Sequence, residues 1–341
     1  MALIKYYVPN DIIMMRNEPM EEIIADFDDK KELYKSFNSK VYSTIKELID
    51  DSNIQIHNIS SRVKERKSLL EKIESKNGKY NNLLDITDIS GIRVITYFDN
   101  DVDTIAKLVE KEFEIDIPNS VDKRNVAADK FGYMSVHYVA GLSKSRLDLT
   151  ENKKYEKLKF ELQIRSILQH SWAEIEHDLG YKGEFTIPQF SKRSFHRIAA
   201  LLETADIEFS RLKQILYDYE QKIKNGTDEN LINESINKVT LAQFIKNSKV
   251  LLEVDNSIVK SAYKSISDKS TYNDSRLNEL LLIINKMNIT NFDELTSQLQ
   301  TNKKNLVELK VTEKTVFKTL GKGKFIKGGS ISVLGKYNDL S

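Results

Sequence analysis

Residues 92–98 read IRVITYF, a run of β-branched and aromatic residues entered through Gly91 and left through the polar residues 99–101. A short apolar run between turn residues is typical of a buried strand. Residues 54–59, 135–142 and 159–165 are further strand candidates, and residues 102–112 have the apolar spacing of a short helix. Strands and helices that interleave in this way predict an α+β fold built around one sheet.

The flanking segments predict helices. Residues 28–51 have an amphipathic helical period, and residues 195–219 carry a long apolar stripe that predicts a core-facing helix. The polar segment NGTDEN at 225–230 is the best domain boundary. Residues 231 to about 310 look all-helical, whereas the glycine-rich segment 321–335 predicts a short hairpin or a partly ordered tail. We therefore expect an N-terminal helical segment at 1–52, a central domain at 53–225 that contains the sheet, and a mainly helical extension at 226–341.

Composition excludes several classes of protein. The 341 residues include 52 Lys and Arg against 51 Asp and Glu, so the net charge is +1 and any attraction to nucleic acid or membrane must be local. The chain has no cysteine, which excludes thiol nucleophiles, disulfides and thiolate zinc sites. We expect neither a membrane-spanning segment nor a secretory leader, and therefore a soluble, unprocessed, cytoplasmic protein.

Residues 62–72, RVKERKSLLEK, contain five basic and two acidic residues. Lys and Arg neutralise phosphate charge and Ser68 adds a hydroxyl donor, so this segment is a candidate polyphosphate cradle. A solvated helix face has the same composition, and taken alone the segment favours that interpretation.

Two acidic positions are candidate metal ligands or bases. Asp85 and Asp88 lie on the turn that leads into the predicted strand at 92–98, where a carboxylate could hold Mg²⁺ or could simply cap the turn. In the strand at 159–165, KFELQIR, the alternation places Glu161, Gln163 and Arg165 on one face. An ordinary strand with one solvated face has the same pattern.

Two further motifs carry polar or aromatic candidates. In residues 166–182, His170, Glu174 and His177 share one helix face; the HExxH arrangement is missing, so hydrogen bonding or helix packing is favoured over zinc. In residues 131–138, FGYMSVHY, Tyr133 either stacks on a nucleobase or closes an edge of the core. The chain contains no P-loop, no GxGxxG and no GxSxG.

In this order, RVKERKSLLEK, DITDISGIRV (85–94), FGYMSVHY and ELQIRSILQHSWAEIEHDLGYK (161–182) resemble the RelA/SpoT synthetase domain, most closely the small alarmone synthetases. The resemblance covers residues 40 to 222, approximately. It implies a nucleotidyltransferase-like mixed β-sheet flanked by helices. It also implies transfer of pyrophosphate from ATP to the ribose 3′-hydroxyl of GDP or GTP, which yields ppGpp or pppGpp and AMP, with Mg²⁺ as cofactor.

The resemblance also implies roles for individual residues. On the donor side, Arg62 and Arg93 clasp the adenine, Lys64, Ser68 and Lys72 contact the ATP phosphates, and Asp88 holds Mg²⁺. Glu161 assists the metal and takes the proton from the acceptor hydroxyl. On the acceptor side, Tyr133 stacks on the guanine, His137 helps to hold phosphates and His170 lies near the base; we assign Gln163 and Arg165 to this side as well. Lys123, Arg124 and Lys130 have no clear counterpart in the family pattern.

Several alternatives stay open. Toxic relatives with a similar motif set pyrophosphorylate the 3′ CCA end of tRNA, and some carry a fused inhibitory or phage-sensing domain, an arrangement that residues 226–341 would suit. A catalytically inactive nucleotide sensor is less favoured, because a pure binder needs no pair of metal carboxylates. We expect no alarmone hydrolase activity. Relatives of this kind are often homotetramers, so a homo-oligomer is a further expectation, and the ligand or partner of residues 226–341 is unknown.

Overall fold

The computed structural model describes residues 10–76, 78–122, 135–181, 189–225, 234–262, 265–267, 274–312 and 324–340. The chain divides into two compact units, Met1–Leu212 and Lys213–Ser341. This division falls inside one long helix, whereas the predicted boundaries follow residues 52 and 225.

The first unit is a mixed sheet flanked by helices. Its strands are β1 Ile56–Val63, β2 Ser90–Thr96, β3 Phe113–Ile115, β4 Val121–Asp122, β5 Val136–Leu142 and β6 Phe160–Ser166, in the order β1-β2-β6-β5-β3, with β4 paired to β5. Its helices are α1 Asn10–Asp51, α2 Arg66–Lys76, α3 Asp99–Glu112, α4 Lys144–Leu147, α5 Ile167–Tyr181 and the first part, up to Leu212, of α6 Gln189–Asn225. Among the described strands of this sheet, β2 and β6 pair in parallel and the other pairs are antiparallel. The predicted α+β class is confirmed.

The four predicted strands all form, each displaced by one to a few residues from its predicted ends. The strand β6 alternates between buried and half-buried positions, as the sequence KFELQIR predicts. Its apolar side chains face the core, where Phe160 packs edge-on against Phe37 of α1 and Phe113. Because alternate residues of a strand face opposite sides, Glu161, Gln163 and Arg165 lie on the other face of the sheet.

The helix α1 begins much earlier than the predicted residue 28. Its buried side chains recur at helical spacing, and Phe27, Phe37, Val41 and Ile45 are fully buried. They belong to the same core cluster as the apolar faces of β2, β5 and β6. The helix is therefore an integral part of the first unit.

The prediction that α6 buries its apolar stripe is wrong. Leu201 is 70% exposed and Phe209 and Leu212 are each 50% exposed. The buried residues at this end of the helix are instead Ala199, Asp206 and Ser210. A helix whose sequence is apolar on more than one side can pack through any of them, so periodicity alone did not identify the buried face.

The second unit is mainly helical, as expected. It contains α7 Lys238–Asn247, α8 Lys249–Ala262, α9 Asp274–Lys286, α10 Phe292–Thr301, α11 Lys303–Thr312 and α12 Gly329–Leu340, together with two parallel strands, β7 Ser265–Ser267 and β8 Lys324–Ile326. A separate core cluster joins these helices. Within the described part of the chain, no helix is long and apolar enough to cross a membrane.

The prediction of a hairpin or loose tail at 321–335 is also wrong for the part that the structure describes. Residues 324–326 form β8, and α12 follows with Ile331 and Leu334 fully buried in the core. Glycine permits this packing, because a Cβ at Gly335 would overlap Ile283 and Gly328 has a φ of +81°. The glycines therefore mark a tight turn and a close helix contact.

Candidate active site

The candidate active site is a cleft over the polar face of the sheet. The strand register places Arg93 beside Gln163 and Gly91 beside Glu161, so side chains from β2 and β6 line one face. Arg62 at the end of β1 lies opposite Gly91. The cleft is lined by Ser60, Ser61, Arg62, Asp88, Gly91, Ile92, Arg93, Glu161 and Gln163. Asp88 and Glu161 therefore reach the same cleft although 72 residues separate them in the chain.

Asp88 is held by two lysines from different elements. Its Oδ2 lies 3.1 Å from Lys64 Nζ and 2.6 Å from Lys72 Nζ, and all three side chains are largely buried. The Lys64 N–H donates to Ile89 O at 2.8 Å, which fixes the segment after β1 against the turn before β2. Burial raises the pKa of the Asp88 carboxyl, but the hydrogen bonds and charges of Lys72 and Lys64 outweigh burial, so its pKa lies below the usual value.

The second oxygen of Asp88 is available to a ligand. Asp88 Oδ1 is buried and accepts no hydrogen bond from the described residues. An orphaned carboxylate oxygen in a basic cleft fits a divalent cation that arrives with a polyphosphate. The described residues contain no group of three or more His, Asp or Glu side chains that could hold a metal by themselves. Asp88 and Glu161 thus fit Mg²⁺, which commonly binds through one or two carboxylates plus substrate phosphates.

Asp85 caps the turn before β2, which was the alternative to a role as metal ligand. Its Oδ2 accepts hydrogen bonds from the N–H groups of Asn81 and Asn82, at 2.8 and 3.1 Å, in a capping box at the short 3₁₀ helix Leu83–Asp85. Because Asp85 caps the turn, Asp88 is left to face the cleft.

The two arginines proposed for adenine lie on adjacent strands. Arg62 passes close over Gly91, where an added Cβ would lie 3.7 Å from Arg62 Cγ. Arg93 donates from Nη1 to Glu174 Oε1 of α5 at 3.2 Å. Arg62 thus packs against the neighbouring strand, and an ion pair to α5 orients the guanidinium of Arg93.

Glu161 lies among polar groups that set its orientation. Gln163 donates from Nε2 to Glu161 Oε1 at 3.2 Å, and His137 Nδ1 lies 3.7 Å from the same oxygen. The other ring nitrogen of His137 is 2.8 Å from Arg165 Nη2. Since the guanidinium can only donate, His137 accepts at Nε2 and in its neutral form carries the proton on Nδ1, which faces Glu161. Burial, followed by the charge of Arg93, lowers the pKa of Arg165.

His170 lies on α5, the helix that follows β6. Its Nδ1 is 3.7 Å from Glu174 Oε1, and burial, followed by the charge of Arg93, lowers its pKa. Its partner on the helix face is thus Glu174, which also binds Arg93. His170 Nδ1 is buried and has no hydrogen-bond partner among the described residues, so this arrangement fits the packing role that was predicted and not the hydrogen-bonding one.

The remaining predicted residues are only partly placed. Ser68 lies exposed on α2 and is not among the residues that line the cleft. Tyr133, together with Lys123, Arg124 and Lys130, lies outside the described residues. The structure thus brings together Asp88, the two lysines that hold it, Arg62, Arg93 and the polar face of β6, but not Ser68.

Sequence reasoning missed two residues that hold the site. Glu174 was noted as part of a helix face, but its ion pair with Arg93 links segments 81 residues apart. Asn38 of α1 is buried and donates hydrogen bonds to both β1 and β2. A polar residue on the apolar side of the predicted helix at 28–51 is the signal that could have identified Asn38.

The sequence comparisons with known proteins agree with the resemblance to the RelA/SpoT synthetase domain. A family model described as a region found in RelA / SpoT proteins matches residues 61–185. The GTP pyrophosphokinase YjbM of Bacillus subtilis (strain 168) is 29% identical over 168 residues, which cover 48% of this chain and 75% of YjbM. The GTP pyrophosphokinase YwaC of the same organism is 28% identical over 137 residues, which cover 39% of this chain and 62% of YwaC. A crystal structure of the small alarmone synthetase 1 from Bacillus subtilis is 24% identical, with a TM-score of 0.47, and covers 57% of this chain and 98% of that one.

Proposed function

We propose that this chain, which carries a RelA/SpoT region and is homologous to the small alarmone synthetases YjbM and YwaC, is a GTP pyrophosphokinase-type transferase. It moves the β,γ-pyrophosphate of ATP to the ribose 3′-hydroxyl of GDP or GTP. One observation supports the proposal most strongly: Asp88 and Glu161 line the same cleft. Two lysines hold one carboxylate oxygen of Asp88, and the other oxygen has no hydrogen-bond partner among the described residues.

On the donor side, Arg62 and Arg93 hold the adenine between their guanidinium planes, which stack favourably on aromatic rings. Lys64 and Lys72 neutralise the triphosphate, and Ser68 adds a hydroxyl donor from the same helix as Lys72. Asp88 and Glu161 are the residues that would hold Mg²⁺, which when bound neutralises phosphate charge and stabilises the charge that develops during transfer. Positioning and charge neutralisation dominate reactions of this kind.

The transfer balances with the residues available. The acceptor 3′-oxygen forms a bond to the β-phosphorus of ATP, and the bond from that phosphorus to the α,β-bridging oxygen breaks, so AMP leaves. Glu161 accepts the proton of the acceptor hydroxyl. Gln163 and His137 orient its carboxylate. Tyr133, His137, His170, Gln163 and Arg165 are the residues we assign to the acceptor.

A labelling assay tests the proposal. The full-length chain is incubated with γ-labelled ATP and Mg²⁺, and with GDP, GTP or deacylated tRNA as acceptor. We expect label on GDP or GTP and release of AMP. Label on tRNA alone would identify the toxic, tRNA-modifying class instead, and binding of ATP without transfer to any acceptor would identify a nucleotide sensor.

A further inference from the structure

Asn38 lies on α1, an element that the proposed chemistry does not use. Its side chain is 5% exposed. The amide Nδ2 lies 2.8 Å from Ser90 Oγ, 3.1 Å from Arg62 O and 3.3 Å from Gly91 O. One buried amide thus donates to the end of β1 and the start of β2 together.

The hydrogen bonds of Asn38 lie at the end of the β1–β2 ladder, next to the donor-side residues. In the β1–β2 ladder Arg62 pairs with Gly91. Immediately beyond the ladder, the Lys64 N–H donates to Ile89 O. The segments fixed here carry the side chains of Arg62, Lys64 and Asp88, which are the adenine, phosphate and metal contacts of the proposed site.

The acceptor side lies on other elements, which Asn38 does not contact through hydrogen bonds. The residues assigned to it that the structure describes lie on β5, β6 and α5. Among the described residues, the hydrogen bonds of Asn38 reach β1 and β2 alone. A disturbance at Asn38 therefore acts first on the position of the ATP contacts.

We propose that Asn38 is a positioning residue for the ATP half of the site. Its amide donates to the backbone oxygens of Arg62 and Gly91 and to the hydroxyl of Ser90. These hydrogen bonds fix the positions of the segments that carry the side chains of Arg62, Lys64 and Asp88. The inference rests on the proposed function, because it assigns ATP to this half of the cleft. A purely structural role would lower stability without distinguishing one nucleotide from the other.

The test measures two affinities in the full-length chain. We expect Asn38→Ala to raise the Kd for a non-hydrolysable ATP analogue with Mg²⁺ about tenfold, the scale of one lost buried hydrogen bond, and to leave the Kd for GDP within about twofold. Ser36→Ala is the matched control: Ser36 lies on the same helix, but its hydroxyl bonds the Tyr155 hydroxyl at 2.6 Å. This control should leave both affinities unchanged.

Asn38→Leu guards against misfolding as the cause. Leu has the branched shape of Asn and buries no charge, so it removes the donor while keeping the site filled, and it should reproduce the selective loss of ATP affinity at temperatures well below its melting point. An equal rise of the Kd for the ATP analogue and for GDP, or an unchanged Kd for the ATP analogue in both variants, would overturn the inference. The proposed function would stand in either case if the wild-type chain binds the ATP analogue. A wild-type chain that does not bind the ATP analogue would overturn the proposed function and this inference with it.

Discussion

Asp255 is a buried carboxylate at the centre of the second unit, and its removal should destabilise that unit severely. Its Oδ2 accepts a hydrogen bond from the Gly328 N–H at 2.6 Å, and its Oδ1 accepts one from the Ser330 N–H at 3.0 Å. These two groups lie at the start of α12, where backbone N–H groups lack partners within the helix. Asp255 thus ties α8 to the segment that sequence reasoning treated as a loose tail.

The cost of Asp255→Ala follows from the two donors that it leaves behind. Asp255 and Ser330 are both fully buried, so water cannot replace the lost acceptor. An unsatisfied buried donor costs about 1–3 kcal/mol, and relief of the buried charge offsets part of that loss, so we expect about 2–4 kcal/mol for the pair. At about 3–5 °C per kcal/mol for a unit of this size, its melting temperature should fall by roughly 6–20 °C.

Calorimetry and hydrogen exchange on the full chain measure this effect. The unit that contains residues 324–340 should melt earlier, and its amides should exchange faster, whereas amides of the sheet in the first unit should be unchanged. Asp274→Ala is the control, because the Asp274 side chain is 87% exposed and such substitutions stay within about 0.5 kcal/mol. Equal melting and equal exchange in Asp255→Ala and wild type would refute the structural role of Asp255.

The same residue predicts a pH dependence. Burial raises the pKa of Asp255 above its ordinary value of 3.8, and its hydrogen bonds offset that effect only partly. A raised pKa in the folded state means that the favourable contribution is fully present below the unfolded pKa and is lost as the pH rises through the folded pKa. The stability difference between wild type and Asp255→Ala should therefore shrink as the pH rises through that range, and a difference that grows instead would contradict the assignment.

Two further predictions concern the first unit. Glu161→Gln should leave ATP binding largely intact and abolish pyrophosphate transfer, which the labelling assay measures; persistent turnover would show that Glu161 is not the base. Phe37→Ala removes a fully buried ring that packs against Tyr155 and Phe160, and should lower the free energy of unfolding by about 3–5 kcal/mol in urea titrations. A loss below about 1 kcal/mol would show that α1 is not part of the core.

The sheet could be predicted from the sequence because its strands have unambiguous local signals. The apolar run at 92–98 predicts a buried strand, and the alternation at 159–165 predicts a strand with one buried face. The strands β2 and β6 form close to these predicted limits. The lysines and Asp88 could also be anticipated through the ordered motifs. What the motifs lacked was the strand order, which places Gly91 beside Glu161 and so brings the two carboxylates to one cleft.

Other features depend on contacts between distant segments and were out of reach. The buried face of α6 includes Asp206, whose carboxylate accepts a hydrogen bond from Ser166 at 2.6 Å, and a polar residue gives no hydrophobic signal. The packing of α12 depends on the absence of a Cβ at Gly335 opposite Ile283, and a glycine there looks like a breaker in sequence. In both cases a partner far along the chain decides what a residue does.

Asp88 and Glu161 should bind one divalent ion together with ATP. Crystals of the full-length chain grown with Mn²⁺ and a non-hydrolysable ATP analogue test it directly, since Mn²⁺ suits the same carboxylate ligands and gives an anomalous signal. We predict one anomalous peak bound to Asp88 Oδ1, to Glu161 and to the phosphates, at roughly the 2.0–2.2 Å expected for such ions. A peak bound by phosphates alone, with the two carboxylates turned away from it, would contradict the account.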